Sequence, residues 1–155
     1  MQIDLDATDR TLLDVLQADG RITNAALADQ VHLSPSACLR RVRRLEDAGV
    51  ITGYVAVLDR ALIGRGTSVF VEITLASQQE ELLNEFEAAV AAVPEVLSCH
   101  LMAGNSDYLL HVAADDVTDY ERIHRTHLAV LPHVAQLRSS FALRTVCDRK
   151  AHDLG

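Results

Sequence analysis

The segment SPSACLRRVRRLEDAG, residues 34–49, leaves the chain little choice of local conformation. Ser34 offers a side-chain oxygen to the unpaired N–H groups of a first helical turn. Pro35 suits the first helical position because its missing N–H costs nothing there, and Gly49 can take the left-handed backbone that stops a helix. Between these marks Cys38, Val42 and Leu45 recur at i, i+4 and i+7 as one apolar stripe, with Leu39 beside it. Ser36, Ala37, Arg40, Arg43 and Arg44 point largely outward, Arg41 belongs to the same basic run, and no acidic residue intervenes before Glu46.

This concentration of cations sits in an acidic chain. The 155 residues carry a formal charge of −8; residues 1–60 hold nine acids and seven arginines, and residues 61–155 hold thirteen acids and seven bases. The two halves therefore differ in task. Net charge governs long-range encounter, but phosphate contacts are local, so a basic helix can outweigh an acidic average. The length allows one ordinary domain or two small ones, and two small domains imply a partner subunit. An apolar content of 49% without low-complexity tracts indicates a folded globular chain. MQIDLDATDR has no basic start or apolar run, and no stretch of some 18 apolar residues occurs. Neither secretion nor membrane spanning is expected, and a cytoplasmic location is. Cys38, Cys99 and Cys147 are odd in number and widely spaced, which suits reduced thiols.

Upstream of the arginines, Asp6 or Thr8 can cap a helix whose apolar side is Leu12, Leu13 and Leu16, with Gly20 as a left-handed stop. Thr23 can cap a second helix, NAALADQV, with Ala26, Leu27 and Val31 inward. Two helices joined by a short turn, the second with small residues at its start and arginines on its free face, form a helix-turn-helix. Arginine can donate two hydrogen bonds to guanine O6 and N7 or clamp a phosphate, and small residues permit close approach. The candidate DNA-contacting set is Thr23, Ser34, Ser36, Ala37, Arg40, Arg41, Arg43 and Arg44. A merely solvated arginine face is the competing reading. The segment VITGYVAVLDR, expected to form a strand directly after the third helix, favours a winged helix-turn-helix.

The second half alternates. TSVFVEITL sets Val69, Val71, Ile73 and Leu75 against Ser68, Phe70, Glu72 and Thr74, a strand at period two. A helix over residues 79–92 with the stripe Leu82, Leu83, Phe86, Val90 and Val93 follows, closed by Pro94. EVLSCHLMAG and DYLLHVAA are two strands around Gly104, Asn105 and Ser106, hairpin residues. A helix over residues 117–131 and a last strand in VAQLRSSFALRTV complete βαββαβ, a ferredoxin-like sandwich. The whole chain is thus α+β. Apolar residues on both strand faces, such as Leu109 against Tyr108, Leu110 and Val112, predict that the sheet face without helices meets a second subunit.

With SPSACLRRVRRLEDAGVITGY in one half and CHLMAGNSDYLLHV in the other, the sequence resembles the Lrp/AsnC family of feast/famine transcription regulators over nearly its whole length. The resemblance implies a winged helix-turn-helix DNA-binding domain at residues 1–59, a hinge at 60–66, an effector-sensing and oligomerisation domain at 67–147, and a tail at 148–155. It also implies homodimers that commonly assemble further, often to octamers. Three departures stand out: His32 where relatives often have Gly, Asn105 in place of the acid after the hairpin Gly, and Leu137 with Ser139 at last-strand positions that are often hydroxylated. On residue types alone Gly104–Asp107 is a tight turn. The resemblance makes it part of an effector site comprising Met102, Gly104, Asn105, Asp107, Tyr108, Leu137 and Ser139. Exposed N–H groups around the glycine would take a ligand carboxylate, and Asp107 or a main-chain carbonyl an ammonium.

His124 and His127, whose i, i+3 spacing alone allows shared ligation, could be joined with Cys99, His100, His111 and His133 into a zinc site. So loose a match is outweighed by the reading of His124 as a packed core residue with the others partly exposed, and no metal or cofactor is expected. Cys99 and His100 point to opposite faces of a strand and cannot act as nucleophile and base, so no enzymatic activity is expected. The expected function is sequence-specific regulation of transcription on double-stranded operator DNA, modulated by a small effector of the amino-acid class. The alternative is an oligomeric amino-acid sensor that does not bind DNA.

Overall fold

The computed structural model describes residues 4–154. The chain forms two compact units: the described residues up to Val57 together with those from Val146 onward, and Leu58–Thr145. The expected hinge at 60–66 belongs to the second unit, where Arg60 Nη1 donates to Ser68 Oγ at 3.2 Å and Arg65 lies 3.9 Å from Asp119. The expected tail belongs to the first.

In the first unit, α1 (Ala7–Ala18), α2 (Asn24–Gln30) and α3 (Pro35–Asp47) bury Leu12, Leu13, Leu27, Ala28, Val31, Cys38 and Leu45. The helix ends follow the chemistry of their caps. Asp6 Oδ1 accepts from Asp9 N–H, Thr23 Oγ1 from Ala26 N–H, and Ser34 Oγ from Ala37 N–H. Gly49, at φ +72, turns α3 off in a double hydrogen bond in which Gly49 N–H donates to Glu46 and Val50 N–H to Leu45. His32 takes the left-handed conformation at φ 56 in the turn between α2 and α3. Three expectations change here. Gly20 is not left-handed, because α1 ends on Asp19 in extended geometry. Ala28, not Ala26, faces the core. The segment after α3 forms no strand: residues 52–59 join no strand ladder among the described residues, and Val55 and Val57 are 88% and 72% exposed. A lone extended segment gains no ladder hydrogen bonds, so its β-forming sequence stays unpaired.

The second unit is an antiparallel sheet of order β2-β3-β1-β4, built from β1 (Thr67–Leu75), β2 (Val96–Leu101), β3 (Tyr108–Ala114) and β4 (Val134–Phe141). The helices α4 (Glu80–Ala91) and α5 (Val117–Ile123) complete βαββαβ. Val69, Val71, Ile73, Tyr108, Leu110 and Val112 share one core with Phe86, Val90, Ile123 and Leu128. The register Val71↔Leu110 and Ile73↔Tyr108 aligns these inward residues across β1 and β3. The helix expected over 117–131 changes character at His124. Ala129 N–H donates to His124 C=O, and one π-helical turn (His124–Leu128) follows α5. The wider turn lets Ile123 and Leu128, five residues apart, both reach the core, which α-helical spacing would not. β2 and β4 stop short of their expected ends at Leu101 and Phe141.

Candidate DNA interface and effector site

On α3 the four arginines divide into two pairs. Arg41 and Arg44 turn toward α1, where Asp9 is fully buried: Arg41 Nη1 donates to Asp9 Oδ1 at 2.8 Å and to Asp6 Oδ2 at 2.7 Å, and Arg44 Nη2 donates to Asp9 Oδ2. A buried carboxylate has to be paired, and two guanidinium groups from the neighbouring helix pair it. The Arg41 side chain beside Asp6 holds that carboxyl below its ordinary range, with help from the Asp9 N–H. Arg40 and Arg43, by contrast, are exposed and have no ion pair among the described residues. Ser36 is exposed beside them, while Ala37 is half-buried. Thr23 and Ser34 are occupied as helix caps. Sequence reasoning missed Asp9 as the acceptor for α3. The available signal was its position three residues after Asp6, that of a capping-box partner. Asn24, whose amide donates to Pro35 C=O at 2.8 Å, was also missed; it fixes the start of α3 against α2.

The seven residues expected around an effector do not converge. Tyr108, Leu137 and Ser139 lie on the helix-covered face of the sheet: Tyr108 is buried and donates to Glu87 at 2.7 Å, and Ser139 Oγ is 2.5 Å from Tyr120 Oη. Burial, then the Glu87 contact, pushes the Tyr108 phenol well above its ordinary range. Asp107 is 8% exposed and already engaged, its carboxylate accepting from Leu75 N–H at 2.7 Å and from the Gln78 amide at 2.6 Å. It anchors the loop to the end of β1 instead of facing outward as a counter-charge. Met102, Gly104 and Asn105 are exposed. Gly104 has no positive φ, and a Cβ there would meet nothing within 4 Å.

The other face of the sheet carries a polar cavity of about 200 Å³, lined by Asn105 and Ser106 from the β2–β3 loop, Glu72 and Thr74 from β1, and Gln136 and Arg138 from β4. Glu72 and Arg138 are register partners, with Oε2 and Nη1 3.8 Å apart. This open face is mixed in character. Phe70, 40% exposed, stacks on His111 with centroids 4.8 Å apart, and Leu109 is half-buried, but Glu72, Thr74, Gln136 and Arg138 are polar. The expected apolar face is therefore confined to the part around Phe70 and Leu109. The signal for the cavity lay in the outward positions of β1 and β4, which an alternation pattern marks only as solvent-facing. Among the described residues, no three His, Cys, Asp or Glu side chains form a metal cage.

The profile of a winged helix-turn-helix DNA-binding domain matches residues 5–52, and that of the Lrp/AsnC ligand binding domain matches residues 68–152. The leucine-responsive regulatory protein of Salmonella typhimurium is 42% identical over 143 residues, covering 92% of this chain and 87% of that protein. Among solved structures, a transcriptional regulator from Neisseria meningitidis in complex with L-Met is 36% identical, with a TM-score of 0.91 over 97% of both chains. An AsnC family transcriptional regulator from Agrobacterium tumefaciens is 34% identical, with a TM-score of 0.92 over 96% of this chain and 97% of that one.

Proposed function

Because the chain belongs to the Lrp/AsnC family of DNA-binding transcriptional regulators that respond to an effector, we propose that its effector is a free amino acid held in the open-face cavity of the sheet. The observation that carries this reading is the Glu72–Arg138 pair beside Asn105 and Ser106. An amino acid presents an ammonium and a carboxylate on one carbon. Glu72 can accept from the first, and Arg138, in concert with the Asn105 amide, can donate to the second. Thr74 and Gln136 supply further polar contacts, and a cavity of about 200 Å³ suits a molecule of that size. The Neisseria protein is described with a ligand of the same class.

At the DNA, Arg40 and Arg43 act as the free cations of α3, with Ser36 admitting the helix to the base edges. Thr23, Ser34 and Ala37 set the position of the helix ends, and Arg41 and Arg44 hold α3 against α1. The chain works as a homo-oligomer, at least a dimer. The Phe70–Leu109 area and the unpaired segment with Val55 and Val57 are apolar surfaces that a second copy can cover. The effector alters DNA binding through its differential affinity for two arrangements of the assembly, in the cytoplasm.

Calorimetry with the twenty free amino acids tests the cavity. Glu72→Gln and Arg138→Gln should each weaken the binding amino acid tenfold or more, corresponding to one charge-assisted hydrogen bond of about 1.5 to 3 kcal/mol. Gel-shift affinity without effector should stay near that of the parent chain. Parental amino-acid affinity in both variants would move the effector elsewhere.

A further inference from the structure

The residues after β4 do not continue the sheet. From Val146 onward the chain belongs to the DNA-binding unit, and its docking there is specific. His152 N–H donates to Gln17 Oε1 at 2.7 Å, and Gln17 Nε2 donates back to His152 C=O at 3.0 Å. One side-chain amide thus satisfies both backbone groups of His152, as a neighbouring strand would. Arg10 Nη1 donates to Leu154 C=O at 2.5 Å. The side chain of Leu154 packs against the helical core, in a groove formed by Leu5, Leu13, Leu16, Val50, Ile51 and Tyr54. With the segment docked, a cavity of about 380 Å³ remains there, lined in part by Lys150, His152 and Leu154 themselves.

We infer that residues 150–154 are a clasp for the DNA-binding unit, and that the groove between α1 and the segment after α3 is an interaction surface whose partner is this chain's own C-terminal segment. The contacts are divided. Arg10 and Gln17 lie on α1, while Val50, Ile51 and Tyr54 follow α3, so the clasp ties the first helix to the exit of the third. None of its contacts uses Ser36, Arg40 or Arg43, so it supports the DNA-facing helix without covering it. A unit of three short helices has little apolar surface to bury, which is why an added leucine and three hydrogen bonds alter its order measurably. Because the segment is tethered, its effective concentration is high, and individually modest contacts suffice to keep it docked.

The test compares the parent chain with one terminated after Arg149, together with Gln17→Ala and Leu154→Asp. Hydrogen exchange should accelerate at least tenfold in α1 and in residues 50–54 of all three variants, while β1 and β3 exchange at parental rates. Affinity for promoter DNA should fall several-fold. A synthetic peptide of residues 148–155, added at millimolar concentration to the truncated chain, should restore α1 protection, and a scrambled peptide should not. Parental exchange in α1 after truncation, or equal acceleration in both units, would overturn the clasp.

Discussion

Replacing Asp9 by Ala tests whether the recognition helix is held by charge. The carboxylate is inaccessible to solvent and accepts from Arg41, Arg44 and the Asp6 N–H. Breaking a fully buried ion pair costs about 3 to 5 kcal/mol, chiefly because the surviving partner is stranded. Here the survivors are not stranded: the Arg41 and Arg44 side chains are 28% and 47% exposed and regain water. The capping-box half contributed by Asp9 adds about 0.5 to 1 kcal/mol. We therefore expect a loss of about 2 to 4 kcal/mol, against the roughly 3 to 5 kcal/mol that a core of this size supplies. Exchange of the α1 and α3 amides should approach unprotected rates in Asp9→Ala, while the sheet is unaffected. Asp9→Asn keeps the shape and one acceptor, and should retain a folded unit with Arg44 released, while Arg41 keeps its pairing with Asp6. One added cation near DNA should steepen the slope of log affinity against log salt by up to about 0.9. Non-specific binding then rises at low salt while discrimination between operator and random DNA falls. Parental protection in Asp9→Ala, or an unchanged salt slope in Asp9→Asn, would refute the clamp.

Arg40→Ala and Arg43→Ala should leave the melting temperature unchanged, since neither side chain has an ion pair among the described residues. Each should reduce the salt slope by about 0.9 if it contacts a phosphate, or relax one operator position by about 1 to 3 kcal/mol if it reads a base. Anisotropy titrations on operator and scrambled duplexes distinguish the two, and no effect in either variant would remove α3 from the interface. Stability should also fall with acid. The Asp6 carboxyl is depressed by Arg41, and the Asp119 carboxyl by the Asp115 N–H and then Arg122. Both groups have folded pKa values below their unfolded ones, so their contribution is fully present above the ordinary carboxylate range and is lost as pH falls from that range through the lowered folded values. Both groups are solvent-accessible, so added salt should shrink the effect. Melting curves between about pH 6 and pH 3 follow it, and Asp119→Asn should flatten the profile; an identical acid profile in that variant would contradict the assignment.

The fold was legible where local chemistry and packing agree. Ser34, Pro35 and Gly49 mark α3 because caps act within one turn, and β1 matches its alternating stretch Thr67–Leu75 because one of its faces is wholly buried. The π-helical turn was not legible, because the need for Ile123 and Leu128 to share a face arises only once the sheet is in place. Nor was the strand expected after α3 realised, since β-propensity is expressed only against a partner. The candidate site was half legible. Composition marked the arginines of α3 but not their division, which depends on Asp9 lying across the helix pair, and turn residues marked the β2–β3 loop but not Glu72 or Arg138. Asp107 and Tyr108 are correct for their loop and strand, yet their side chains turn inward, a choice that period-two reasoning makes only when the register is known.

The DNA-binding unit is discontinuous along the chain, with Gln17 near one end meeting His152 near the other. During synthesis its three helices leave the ribosome before the sensor sheet, but Arg10 and Gln17 wait for partners encoded after that entire sheet. The nascent head therefore passes through a period in which the apolar groove beside Leu13 and Leu16 is open, and closes only after βαββαβ has been made. Order of manufacture thus ensures that the clasp closes only on a chain whose sensor sequence has already been synthesised.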